Sequence, residues 1–169
     1  VEEQFYFIWP LLLFLLFKPG RDRLVFTLLL IASVASIYYA QVMLKIDAMA
    51  AFNLMPFRIF ELGMGGMMVW LVRFVPKNKV LLEPLVPLGL ALILYPVFAY
   101  TKETPFPGYM ALPSVLGSAL LIYGGNARYL GRILSNKLAV GVGLISYSLY
   151  LIHWPLIAFY RYWNFDDLN

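Results

Sequence analysis

The chain has 169 residues, 62% of them apolar and only 13% charged, with a formal net charge of +4. A domain folded in water carries about a quarter charged residues, so the polar groups here are too few to coat a water-facing surface and lipid must be the main solvent. Without cysteine and with a single histidine, His153, the chain has no disulfides, no thiolate chemistry and no multi-histidine metal centre.

A spanning helix needs roughly 20 mostly apolar residues, and the pattern predicts an all-α, polytopic membrane helix bundle of about six transmembrane helices. In chain order the expected spans cover about residues 3–17, 24–42, 54–72, 80–100, 108–124 and 138–163. The first is short and opens inside a dense motif at Val1, so the chain is expected to be a fragment of a longer protein. No charged region precedes an apolar core, and nothing resembles a cleavable leader.

Charge alternates along the connections. Lys18, Arg21 and Arg23 follow the first span; Arg73, Lys77 and Lys79 follow the third; Arg128, Arg132 and Lys137 follow the fifth. These are nine of the 13 Lys and Arg, and the positive-inside rule assigns their side to the cytoplasm. The clustering is a topology signal and argues against a nucleic-acid partner. The loops around Lys45 with Asp47 and around Lys102 with Glu103, together with Glu2 and the carboxy terminus, then face outward. Pro84, Pro87 and Pro96 are expected to bend the fourth span. Gly63, Gly65 and Gly66 in the third, and Gly141 and Gly143 in the sixth, leave room for neighbouring helices.

Ionisable groups inside a span are costly and mark functional sites by default. Three clusters qualify. At the amino terminus Glu2 and Glu3 precede Phe5, Tyr6 and Trp9, with Glu2, Tyr6 and Trp9 on one helical face; solvated interfacial acids are the plainer reading. In the third span Arg58 and Glu61 stand three residues apart, close enough to neutralise each other. Arg58 is suited to clamp a phosphate or carboxylate, and a purely structural ion pair is the alternative. In the sixth span Gly143, Ser146, Tyr150 and His153 form a polar stripe, with Tyr147 beside it. His153 lies about fifteen residues, or roughly 22 Å, from the inner end, as a proton-transfer group or an interhelical hydrogen-bonding residue. Glu83 reads as a carboxylate that snorkels to the interface. By this topology Glu2, Arg58, Glu61 and His153 all fall in the outward half of the bilayer, and a shared cavity is expected.

These clusters also carry a family likeness. Val1 to Pro10 resembles the acyltransferase-3 segment W-S-L-x-V-E-E-Q-F-Y-x-x-W-P without its leading W-S-L. Phe57 to Leu62 is similar to F-R-x-x-E-F/L, Phe106 to Pro113 to P-G-x-x-A-L-x-P, and Ser146 to Pro155 to S-Y-S-L-Y-L-x-H-x-P. The resemblance implies an integral-membrane O-acyltransferase of the O-antigen acetylase type in the bacterial cytoplasmic membrane. Its donor would be acetyl-CoA, with no other cofactor, and its acceptor a hydroxyl of a cell-envelope glycan. Carried over by position, Glu2, Arg58, Glu61 and His153 are catalytic candidates, Tyr6, Ser146, Tyr147 and Tyr150 are substrate-binding candidates, and Phe5 is a further signature position. The family's essential first-helix histidine, the basic motif after it, the final helix ending in E-x-P-x-R and an SGNH hydrolase-like domain found in many relatives have no counterpart here. The fragment alone is therefore expected to be inactive. A transporter or flippase built on buried Arg–Glu pairs, and a non-catalytic membrane scaffold, are the competing classes.

Overall fold

A computed structural model of the chain describes residues 4, 6–11, 21–101 and 104–163. Helix is the only regular secondary structure among them. Asp22–Met43, Lys79–Ala99 and Lys137–Trp163 are long and apolar enough to cross a bilayer, and Gly108–Gly124 is a shorter apolar helix. The protein is thus an all-α membrane bundle. Of the first expected span, residues 4 and 6–11 are described and helical, and residues 3, 5 and 12–17 lie outside the described set.

Helix α1, Asp22–Met43, contains neither glycine nor proline and starts with an acid in its first turn, where the positive end of the helix dipole favours it. Its buried residues Val25, Leu29, Ser33, Ser36 and Ala40 repeat every three or four positions, a single stripe along one face. Asp47 then caps a short helix α2, Ala48–Asn53, by accepting from the Ala50 backbone N–H at 3.0 Å. A 3-10 turn at Met55–Phe57 follows, with Pro56 in its first positions, where a missing N–H costs nothing. Only after Arg58, at φ −124° and ψ 7°, does helix α3, Ile59–Leu71, begin. The expected third span is therefore a broken element, and its break falls at the arginine.

Helix α4, Leu85–Ala99, is preceded by a 3-10 turn at Lys79–Leu82. Pro84 sits at its cap and Pro87 in its first turn, so Pro96 is the proline left in the helix interior. Helix α5, Leu112–Gly124, follows a 3-10 turn at Gly108–Ala111. Gly89 of α4 and Gly117 of α5 meet backbone to backbone: a Cβ on Gly89 would lie 2.8 Å from the Gly117 carbonyl oxygen, and one on Gly117 would lie 2.6 Å from the Gly89 oxygen. The short α6, Leu130–Leu134, leads to α7, Lys137–Trp163, in which no residue is buried.

Antiparallel packing sorts the connections into two ends. At one, Arg73 after α3 pairs with Asp22 at the start of α1 (3.3 Å), and the Tyr123 hydroxyl of α5 donates to the Phe74 carbonyl (3.1 Å). At the other, Gln41 near the end of α1 accepts from the Tyr109 N–H before α5 (3.4 Å). The apolar core has two centres. Val25, Leu29 and Met67 gather Trp9, Phe26, Met64 and Trp70 between α1 and α3. Leu82, Val86 and Ala127 join the start of α4 to the loop after α5.

Candidate functional site

The break before α3 leaves backbone groups that no helix can satisfy, and side chains from elsewhere supply partners. Ser36 of α1 donates to the Pro56 carbonyl at 2.7 Å, and the Gln4 side-chain oxygen accepts from the Met55 N–H at 3.1 Å. Held this way, Arg58 is the last residue before the helix and Glu61 lies in its first turn. The Arg58 Nε donates to both oxygens of Glu61, at 3.0 and 3.1 Å, and Nη2 donates to Oε2 at 2.6 Å. The two side chains are 23% and 19% exposed, so this ion pair is largely shielded. The guanidinium also stands 5.2 Å from the ring centre of Phe52 on α2, a cation–π contact that fixes its outer face.

Glu61 and Gly65, one helical turn apart, line a cleft of about 190 Å³ opposite Ser114 and Ser118 of α5. A Cβ on Gly65 would meet nothing within 4 Å, so this glycine keeps the cleft open. Its neighbours are used differently. Gly63 makes room for the Ser33 side chain, and Gly66 for the Trp9 ring. Met64, Met68 and Ala119 are shared between this cleft and an apolar recess of about 450 Å³ that continues along the same helices to Leu71, Phe74 and Tyr123. A charged pair and two hydroxyls thus stand beside a hydrocarbon-lined extension. The carboxylate and hydroxyls at one end can accept hydrogen bonds, and the other end offers only apolar surface.

A protein-family model described as an acyltransferase domain matches residues 1–168. The chain belongs to the acyltransferase-3 family. No curated protein and no solved structure matches it. In general terms this acyltransferase-3 domain has a membrane acyltransferase function, which entails an acyl donor, an acceptor and the lipid bilayer.

Within the acyltransferase-3 chain the sequence-singled residues are distributed unevenly. Arg58 and Glu61 are brought together as an ion pair, and Glu61 lines the cleft. Tyr6 is 63% exposed on the helical stretch 6–11, whose Trp9 packs against α1 and α3. Glu2 and Phe5 lie outside the described residues. Ser146, Tyr147, Tyr150 and His153 all stand exposed on α7. Two of them are engaged locally: Ser146 donates to the Gly143 carbonyl at 2.7 Å and the His153 Nδ1 contacts the Tyr150 carbonyl, while the rings of Tyr150 and His153 lie 5.6 Å apart. The structure does not bring His153 into the cleft with Arg58 and Glu61, because α7 buries none of its faces against α1–α5. Among the described residues no group of three or more His, Asp or Glu side chains could hold a metal ion.

Several participants escaped sequence reasoning. Ser36, Gln4 and Phe52 build the frame of Arg58, and Ser114 with Ser118 completes the cleft. The available signal was serine at i, i+3 or i, i+4 spacing within apolar helices, since hydroxyls in lipid-embedded segments seek partners across the interface. Glu83 also does more than reach the interface. Its two oxygens accept from the Tyr129 and Leu130 N–H groups, at 2.6 and 3.1 Å, and so tie the start of α4 to the start of α6.

Proposed function

We propose that this domain acts in a bacterial cytoplasmic-membrane O-acyltransferase that moves an acetyl group from acetyl-CoA to a hydroxyl of a cell-envelope glycan. The observation that carries this reading is the shielded Arg58–Glu61 pair, whose Glu61 lines a cleft with Ser114 and Ser118, in an otherwise apolar bundle of an acyltransferase family. The chemistry joins the acceptor oxygen to the acyl carbon and breaks the carbon–sulfur bond, and the hydroxyl proton passes through a base to the departing thiolate.

Glu61 both holds Arg58 and lines the cleft, so its role is to accept hydrogen bonds from the acceptor and orient it. Arg58, with its fork directed at Glu61 and its face on Phe52, fixes that carboxylate and lends positive charge near a developing oxyanion. In the same reading Glu2 and Tyr6 approach the acceptor from the amino-terminal segment. The helix that carries Ser146, Tyr147, Tyr150 and His153 forms a further wall of the cavity in the intact protein.

The test is mass analysis of envelope glycans from cells carrying the intact protein or its Glu61→Gln and Arg58→Lys variants. Loss of O-acetyl groups is expected in both at normal protein abundance. Undiminished acetylation in the two variants would remove the pair from the reaction.

A further inference from the structure

At the opposite end of the bundle from Arg58, three cations meet in a recess that the acyl-transfer reading does not use. Lys79, at the start of the turn before α4, and Arg128 with Arg132, around the start of α6, line a cavity of about 250 Å³ together with Asn126 and Ser135. Topology rules explain why basic residues gather at this end. They do not explain why cations separated by some fifty positions of sequence converge on one polar hollow.

The hollow is built by the fold. Its floor is Ala127, buried with Leu82 and Val86 in the second apolar centre. Its wall depends on Gly131, whose Cα packs so close to the Gly125 carbonyl that a Cβ would lie 2.5 Å from that oxygen. Glu83 and Tyr123 clamp the flanking segments through the bonds described above. Glu83 is the nearby acid, and its oxygens are committed to the backbone N–H groups of Tyr129 and Leu130. Among the described residues none of Lys79, Arg128 and Arg132 is in an ion pair, whereas Arg58 and Arg73 each have a carboxylate partner. Arg128 is steadied by the Tyr129 ring, 5.5 Å away.

We propose that this recess binds a phosphate-bearing anion, the phosphate of a membrane lipid headgroup or of a soluble phosphorylated ligand. Forked guanidinium donors and an ammonium match phosphate oxygens, and the cations left unpaired provide the charge that such a group neutralises. The site is separate from the Glu61 cleft, and the proposal stands or falls independently of acyl transfer.

The experiment uses the intact protein, with lipid retention read by native mass spectrometry and soluble anion binding read by thermal shift with inorganic pyrophosphate. The two readouts separate the two sources, and nanodiscs of anionic phosphatidylglycerol against zwitterionic phosphatidylcholine isolate the contribution of net negative charge. Selective retention of phosphatidylglycerol identifies a lipid headgroup, and stabilisation by pyrophosphate identifies a soluble ligand. In either arm Arg128→Gln and Lys79→Gln each weaken binding about fivefold, Arg128→Lys retains most of it, and Lys45→Gln at the other end changes nothing. Lys79 is exposed, so its variant folds even if an arginine variant does not. Equal behaviour of wild type and Lys79→Gln in both arms, or an equal loss in Lys45→Gln, overturns the proposal.

Discussion

Helices α3 and α7 both carry polar groups in apolar surroundings, yet the fold treats them in opposite ways. In α3 the charges of Arg58 and Glu61 are closed on each other, shielded, and braced by α1, α2 and the amino-terminal segment. In α7 Ser146 and His153 find partners within one turn and no residue of the helix is buried. The difference teaches that a polar stripe by itself shows that something must face it, whereas a paired charge at a helix break shows what does.

The comparison can be tested through stability. The largest effect is expected from Glu61→Ala, which strands Arg58 in a shielded position: about 3 kcal/mol of unfolding free energy in detergent. Replacing both members together, as Arg58→Met with Glu61→Met, should recover most of that loss while leaving glycan acetylation abolished. If acetylation survived with the stability, the pair would be structural and the cleft would lose its assigned role.

Glycines give the next contrast. Gly117→Ala would drive a Cβ to within 2.6 Å of the Gly89 carbonyl, and overpacking of this kind costs about 1–3 kcal/mol. Gly143→Ala in α7 meets nothing within 4 Å, and relief of glycine's helix penalty should leave stability unchanged or raise it by up to about 1 kcal/mol. Thermal unfolding of the two variants side by side checks this, and a comparable loss at Gly143 would show that α7 is closely packed in the intact protein.

Smaller effects follow at the flanks. Asp47→Ala removes the cap of α2, at about 1 kcal/mol, and loosens Phe52 beneath Arg58. His153→Ala should change unfolding by less than about 0.5 kcal/mol. A clear loss of acetylation at unchanged stability would then mark His153 as acting on substrate or on a helix laid against α7.

Much of the architecture was legible in advance because hydropathy and charge act locally. Apolar runs near bilayer length announced helices, and clustered Lys and Arg announced which connections share an end, as the Asp22–Arg73 pair and the Lys79–Arg128–Arg132 recess bear out. The i, i+3 spacing announced the Arg58–Glu61 contact. The break at Met55–Phe57 was less legible, since Pro56 within an apolar run fits both a kinked helix and a new start. The roles of Ser36, Gln4, Ser114 and Glu83 were not legible, because each bonds to a segment 20 or more residues away or faces one across a cleft.

By itself, then, the sequence determined the solvent, the helical class, the ends of the bundle and the family, all of which follow from composition, periodicity and motif. Only the tertiary structure decided which polar residues meet. That outcome depends on how closely helices approach, and the approach is set by contacts such as Gly89 on Gly117 and Trp9 on Gly66, which have no signature along the chain.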